Sequence, residues 1–593
     1  MKKTIFLFIL SCSAPIFAEL SQYQQCLNKH GYDALITTNQ SISTDIILNR
    51  PTCAYINLDS IADFPRAKNV DSHAWLEWYD PTNDVYFKKR IILNAQGNSS
   101  MGAPKKNGTI DFCEDEWIGD ETTKLTIGDW VPQDSYHIKA YYIDWLRGVG
   151  AIGYWIYDDI VADHNTYLER AEIKDYKEGA RCYPDGFPCI VYLNGDFYGI
   201  YAWQLKKDRD NMGMKKKEAM HIHLDGTLRE ETFWNGSIDW TQFEVRNPKN
   251  LYCVTVTTKG KYAKYDGDQP CELIDETMPL YDPTNEDHVR TAQVKHAIEK
   301  VSHYMAELKS LQQSGATDAE MKQAIENRLD VVGAIDYVIF SMSVNNIDGW
   351  EKNWQWFTYD GEKWFVSPYD LDMTWGNIAS GKFTFPAYWS YYWCLYDFTY
   401  NKGLLKWISQ YYLEDVKSRY RTLRLAKTID ESAFSSYIQD WYEAVGEENY
   451  ALEYMKWSDS YCIRPTICNP NWETEDDWTG YGKLQEYDAT LTYHKGDKCI
   501  LDRRIWTATA TTTGVFPYQQ IGYVDCLQRY KNWITGRLRL LDDWGEMERP
   551  TDISPIHSNI APINRKYYNL LGIEVPEQTK GILITSDGYK IFH

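Results

Sequence analysis

Positive charge is scarce in this 593-residue chain: 62 Lys and Arg face 84 Asp and Glu, a net charge of −22. Nucleic-acid binders need a basic face to neutralise phosphates, so the balance argues against that partner. It argues equally against anionic membrane surfaces, which recruit basic segments. Long apolar runs are missing too. Beyond the N-terminus no stretch is long and apolar enough to cross a bilayer, so no transmembrane segment is expected. No C-x-x-C occurs, and no histidine stands at ligand spacing from a cysteine pair, which argues against a structural zinc site.

What is present is a globular composition, 44% hydrophobic, in a chain too long for one core. Aromatics reach 15%, with 24 Trp and 46 Tyr. They either fill a large core or stack on sugar rings. The first residues, MKKTIFLFILSCSAPIFAEL, combine Lys2 and Lys3 with a short apolar run and a small residue at Ala18. This reads as a secretory signal over 1–18. ILSC at 9–12 offers the alternative of a lipid anchor on Cys12. A secreted or cell-surface location follows, and export makes disulfides the default for the twelve cysteines left when Cys12 is set aside from thirteen. Close spacing suggests Cys182 with Cys189, Cys253 with Cys271, Cys462 with Cys468 and Cys499 with Cys526.

Residues 50–112 alternate like strands, and 137–160 read as a helix with Ile138, Tyr142, Trp145 and Val149 at helical spacing. CIVYLNGDFYGIYAWQL predicts a hairpin about Asn194-Gly195. Residues 286–343 are helical, broken at Ser314-Gly315 and restarted by Thr317 as N-cap. WQWFTYDGEKWFVSPYDLD predicts a second hairpin about Asp360-Gly361, and 403–458 are helical again. The fold class is α+β, with strands enriched early and helices late.

The second hairpin separates two polar islands in apolar surroundings: NNIDGWEKNW and SPYDLDMTWG. Asp348 and Asn353 stand in the spacing D-x-x-x-x-N. In protein kinases that spacing brings a carboxylate to the acceptor proton and a neutral oxygen to a hard cation. Asp370 or Asp372 then supplies a further carboxylate. A hairpin returns its ends to one place, so the two islands converge. DLD alone also suits a metal-dependent glycosyl transferase.

The stretch DYVIFSMSVNNIDGWEKNWQWFTYDGEKWFVSPYDLDMTWG resembles the core of the CotH kinase family, atypical secreted or spore-coat kinases that phosphorylate Ser and Thr. LNAQGNSSMGAPKKNGTIDF, YHIKAYYIDWLRG and VYLNGDFYGIY are similar to its upstream motifs, and WITGRLRLLDDW to its last helix. The resemblance implies an atypical protein-kinase-like domain over 19–458, closed by a helix at 527–548, using Mg²⁺ and ATP on a secreted protein substrate. It implies Asp348 as catalytic base, with Asn353, Asp370 and Asp372 as metal ligands. Lys106 and Lys139 become candidates for phosphate contact, and Gly97, Asn98, Ser99 and Ser100 for a phosphate-facing loop. The chain departs from the pattern twice. Gln96 stands where the family has Arg, and Gln204 or Leu205 where Glu often follows the GIY strand. Neither replacement carries charge.

Residues 470–526 are similar to small carbohydrate-binding modules of the 5/12 type, with Tyr487, Trp506 and Tyr518 as candidates for stacking on a chitin- or cellulose-like polysaccharide. The leading Trp of those modules is absent. Residues 550–593 resemble a C-terminal β sorting domain of type IX secretion. Two functions remain in competition: a Mg-ATP-dependent kinase for secreted proteins, and a degenerate kinase-like surface protein that binds carbohydrate.

Overall fold

The computed structural model describes most of residues 51–377, then 404–457, most of 487–514, 524–547 and four short strands beyond 566. The expected signal, Cys12, Cys462, Cys468 and Tyr518 lie outside the described residues. The chain divides into a unit ending at Gly545 and a second from Glu546 to His593. The second holds a four-stranded sheet, Tyr567–Tyr568, Glu574–Val575, Ile582–Thr585 and Lys590–Phe592.

Alternating residues build the first layer. Strands β1 (Thr52–Leu58), β2 (Ser72–Asp80), β3 (Val85–Gln96), β4 (Asn107–Phe112), β5 (Ser135–Lys139), β6 (Gly186–Leu193) and β7 (Asp196–Leu205) form a closed barrel in the order β1-β2-β3-β4-β5-β7-β6. All contacts are antiparallel except β1 with β6. One residue in two points inward: Leu93, Ile110, Tyr136, Ile138, Trp203 and Leu205 fill the barrel. Each fully buried Leu or Ile contributes about 1.5–3 kcal/mol. The intervening residues turn out. Thr109 lies opposite Asn94 and His137, and His137 opposite Gln204, so β3, β4, β5 and β7 share a polar outer face. The β6–β7 turn is Asn194-Gly195, with φ of 49° and 88°, as a two-residue hairpin loop requires.

The helix expected over 137–160 begins as the end of a strand and becomes helical only from Val149. His137 and Lys139 alternate with buried Tyr136 and Ile138, a period of two that completes the barrel. Tyr141 and Arg147 then take left-handed φ of 39° and 59°, which no helix continues through. Helix α1 (Val149–Val161) begins only after them. Asp144 accepts from Gly148 N at 2.6 Å and Val149 N at 2.7 Å, serving the first orphan donors.

A second sheet of seven strands ends in β8 (Ile222–Gly226), β13 (Trp354–Thr358) and β14 (Trp364–Pro368), the predicted second hairpin being its edge. Its other strands are β9 (Phe243–Arg246), β10 (Cys253–Thr255), β11 (Ala263–Tyr265) and β12 (Pro270–Leu273). Helices α2 (Glu286–Gln313), α3 (Asp318–Glu326) and α4 (Val331–Ser343) precede the hairpin. Thr317 caps α3 reciprocally with Glu320, the capping box. The expected helix 403–458 is four: α5 (Leu404–Tyr411), α6 (Leu413–Leu425), α7 (Glu431–Val445) and α8 (Glu447–Lys456). Between residues 487 and 514 run the short strands β15 (Thr492–Tyr493), β16 (Lys498–Leu501), β17 (Arg504–Thr507) and β18 (Thr512–Thr513). Helix α9 (Val524–Trp544) returns to pack on α7 and α4. Among the described residues no helix is long and apolar enough to cross a membrane.

The cysteines correct two expectations. Cys182, Cys189 and Cys499 hold thiols, so neither Cys182–Cys189 nor Cys499–Cys526 is a bridge. Cys182 Sγ lies 3.5 Å from Tyr359 Oη, and Cys189 faces the barrel core. Close sequence spacing did not bring the two together, because strand pairing points Cys189 inward. Cys253 is disulfide-bonded. The side chains of Cys271 and Cys526 lie outside the described residues.

Candidate active site

Helix α4 is buried along most of its length and stops where Asn345 turns left-handed at φ 53°. Asp348 then opens a single 3₁₀ turn, Asp348–Trp350. Tyr337 Oη donates to Gly349 O at 2.6 Å and pins that turn to α4. Asn353, at φ 59°, leads into β13, and its carbonyl accepts from Tyr369 N at 3.0 Å, closing the hairpin base. Asp370 follows, also left-handed at φ 52°, ahead of the 3₁₀ turn Leu371–Met373. Two further backbone bonds join the loops: Ile347 N to Met373 O at 3.3 Å and Trp375 N to Val344 O at 2.7 Å. The predicted convergence of the two islands is therefore built into the backbone. Four non-glycine left-handed residues in it, Asn345, Asn353, Asp370 and Trp375, are the strain that functional loops hold.

Asn353 Nδ2 donates to Asp348 Oδ2 at 3.1 Å. That leaves Asn353 Oδ1 as the oxygen to offer a hard cation. Among the described residues no three His, Cys, Asp or Glu side chains form a metal cage. One carboxamide and two aspartates suit Mg²⁺ all the same, because it keeps several waters and takes only one or two carboxylates beside substrate phosphates. Asn353, Asp370 and Asp372 are the residues that would hold it.

The barrel's polar outer face supplies the facing groups. Lys139 Nζ lies 3.2 Å from Gln96 Oε1 and 3.9 Å from Asp370 Oδ1. Tyr141 Oη donates to Gln204 Oε1 at 3.4 Å. Burial first, then the charges of Asp370 and Asp372, pushes the Tyr141 phenol well above its ordinary range. Leu205 is in the barrel core, so of the two positions only Gln204 faces the site. Tyr154, on α1, accepts from Asp370 N at 3.1 Å.

Three residues escaped the sequence reading. Lys207 Nζ lies 4.1 Å from the centre of the Tyr369 ring, and Lys139 Nζ 5.9 Å from it. Lys207 and Arg246 both pair with the buried Asp225, Arg246 Nε at 3.2 Å from its Oδ2. Burial raises the Asp225 carboxyl, but the two cations outweigh it and hold the group well below the ordinary carboxylate range. Burial, reinforced by Lys139, Lys206, Lys207 and Arg246, pushes the His137 imidazole well below its ordinary value, so this ring is neutral at pH 7. The only sequence signal for Lys207 was KK after the GIYAWQL strand. Nothing pointed to Asp225 or Arg246.

Lys106 is placed elsewhere. Its Nζ donates to Met101 O and Ala103 O, both at 2.5 Å, and so closes its own loop. Gly97 has φ 123°, and a Cβ there would lie 1.9 Å from Ser100 Oγ. Asn107 ties that loop to β5, donating to Ser100 Oγ at 3.2 Å and accepting from Ala140 N at 2.7 Å. Asn98 and the Ser99 side chain lie outside the described residues. The neighbouring Lys105 is fully buried, with Nζ 2.7 Å from Glu453 Oε1 on α8. In the proposed sugar module Tyr487 stacks on Tyr493, centroids 5.5 Å apart. Trp506 lies on β17 opposite Cys499, its side chain outside the described set.

Residues 131–478 match the family described as CotH kinase protein. The matched span starts just before β5 and contains both polar islands, while the loop at 97–102 and helix α9 fall outside it. No curated protein matches the chain. With more than half of its 593 residues matched, the chain belongs to the CotH kinase family.

Proposed function

We propose that the chain transfers a phosphoryl group from Mg-ATP to Ser or Thr hydroxyls of secreted or surface proteins. The observation that carries this reading is the backbone junction of the Asp348–Asn353 loop with the Asp370–Asp372 loop, facing Lys139. Asp348 accepts the hydroxyl proton as the acceptor oxygen bonds to the γ-phosphorus and the bond to the β-phosphate oxygen breaks. Asn353, Asp370 and Asp372 would hold Mg²⁺, which would offset phosphate charge. Lys139, Lys207 and Arg246 take phosphate oxygens. The latter two would replace the charge missing at Gln96: Lys207 lies over the Tyr369 ring, as Lys139 does, and Arg246 shares Asp225 with Lys207. Catalysis is mainly positioning and electrostatics. Read as a secretory signal, the N-terminus would put the protein outside the cytoplasm, where ATP is scarce, so the reaction would take place during export or use another phosphate donor.

A second reading follows from the uncharged Gln96 and Gln204 and from the Tyr487–Tyr493 stack: a surface protein that binds polysaccharide and has lost transfer. Incubation of the full chain with Mg²⁺ and labelled ATP separates them. The kinase reading expects label on itself or on co-secreted proteins, lost in Asp348→Asn and Asp370→Asn. No label, and no rise in melting temperature with nucleotide, sinks it. Retention on chitin or cellulose that Trp506→Ala abolishes supports the second reading.

A further inference from the structure

Helix α9 lies beyond the residues that match the family, after the segment that separates it from α8. Three of its side chains at helical spacing, Tyr530, Trp533 and Arg537, are buried, and each reaches a different part of the scaffold that carries the two loops. Tyr530 Oη donates to Asp144 Oδ1 at 2.9 Å and accepts from Asn377 Nδ2 at 3.3 Å. Asp144 caps α1, whose Tyr154 receives the Asp370 amide, and Asn377 ends the Asp370 loop. The Trp533 ring packs against Trp375, centroids 6.1 Å apart, at the point where Trp375 is left-handed and bonds Val344 O. Arg537 Nε donates to Met342 O at 2.7 Å, at the end of α4 just before Asn345.

We propose that α9 is a brace that sets the two loops in register, with Tyr530, Trp533 and Arg537 as positioning residues for Asp348 and Asp370. The inference rests on the kinase reading only for its turnover readout. Both loops leave α4 and the hairpin through left-handed residues, so their backbones need outside support. A displacement near 1 Å at a reacting group costs about a hundredfold in rate. One helix face touching α4, the α1 cap and the end of the Asp370 loop supplies that support at three points.

The test compares Tyr530→Phe and Arg537→Gln with Tyr420→Phe in the full chain. Tyr420 is equally buried and donates to Asp542 of α9 at 2.8 Å, but it touches neither loop. Hydrogen exchange of residues 345–353 and 369–377 should accelerate about tenfold in the first two variants and stay unchanged in Tyr420→Phe. Turnover should fall about tenfold or more with the KM for acceptor unchanged, and Arg537→Lys, which keeps a donor, should recover part of it. Equal exchange of both loops in Tyr530→Phe and Tyr420→Phe overturns the brace. Should Tyr530→Phe not fold, Arg537→Gln against Arg537→Lys decides by the same exchange. Loops accelerated in Tyr530→Phe and Arg537→Gln, with no transfer by the wild-type protein, leave the brace standing and reject the kinase reading.

Discussion

Glu453→Gln probes an ion cluster that is wholly enclosed. Glu453 accepts from Lys105 Nζ at 2.7 Å, Arg147 Nε at 3.0 Å and Ile200 N at 2.8 Å. The three side chains are 0% exposed. Glutamine keeps the volume and removes the charge, leaving the buried Arg147 without that carboxylate and driving Lys105, which burial already brings down to about 7, toward its neutral form. Removal of one partner from a buried pair costs about 3–5 kcal/mol. For the unit ending at Gly545 the unfolding entropy is roughly 1.1 kcal/mol per kelvin, so the melting midpoint should fall by about 3–4 °C. Thermal and urea unfolding of the two proteins measure it. Lys105→Met in the Glu453→Gln background should recover part of the loss, because it withdraws a buried amine that has lost its carboxylate partner. A Glu453→Gln protein within about 1 kcal/mol of wild type, or a double variant whose cost is the simple sum, would refute the assignment of a dry, coupled cluster.

Single Lys207→Gln and Arg246→Gln variants should each weaken ATP binding about tenfold, near 1.4 kcal/mol, and leave adenosine binding unchanged. Calorimetric titration checks this, and equal losses for both ligands contradict phosphate contact. His137 and His223 have pKa values depressed by burial, His223 to about 3. The unfolded chain, at about 6.5, therefore binds protons that the folded one refuses. Stability should fall as pH drops below about 6.5, by up to about 1.4 kcal/mol per pH unit for each ring. His223→Gln should flatten that slope in urea titrations between pH 4 and 6.5, and an unchanged slope would discount the ring. Gly148→Ala should destabilise by about 1–3 kcal/mol, because the new Cβ lies 1.9 Å from the Trp441 ring. A denaturant midpoint equal to wild type contradicts it.

Where structure is local, the sequence was legible. Asn194-Gly195 and Asp360-Gly361 announced their hairpins, since few residues accept left-handed backbone. Thr317 announced its helix through the oxygen it offers an orphan N–H. NNIDGWEKNW and SPYDLDMTWG placed Asp348, Asn353 and Asp370 on either side of one hairpin, and a hairpin must bring its ends together. Strand β5 was missed because its five residues are too few to separate a period of two from a helix that follows closely.

What the tertiary structure alone decided are the partners of distant residues. Lys105 and Glu453 are 348 positions apart, and Tyr530 and Asp144 are 386 apart. Asp225, Lys207 and Arg246 come from separate strands and a loop. Lys106 and Lys139 looked alike as lysines in basic motifs, yet one closes its own loop and the other faces Asp370. Local spacing reports backbone conformation, because turns and periods act over a few residues. Which charge meets which is set by the closure of the barrel and the return of α8 and α9, and no short window of sequence contains either event.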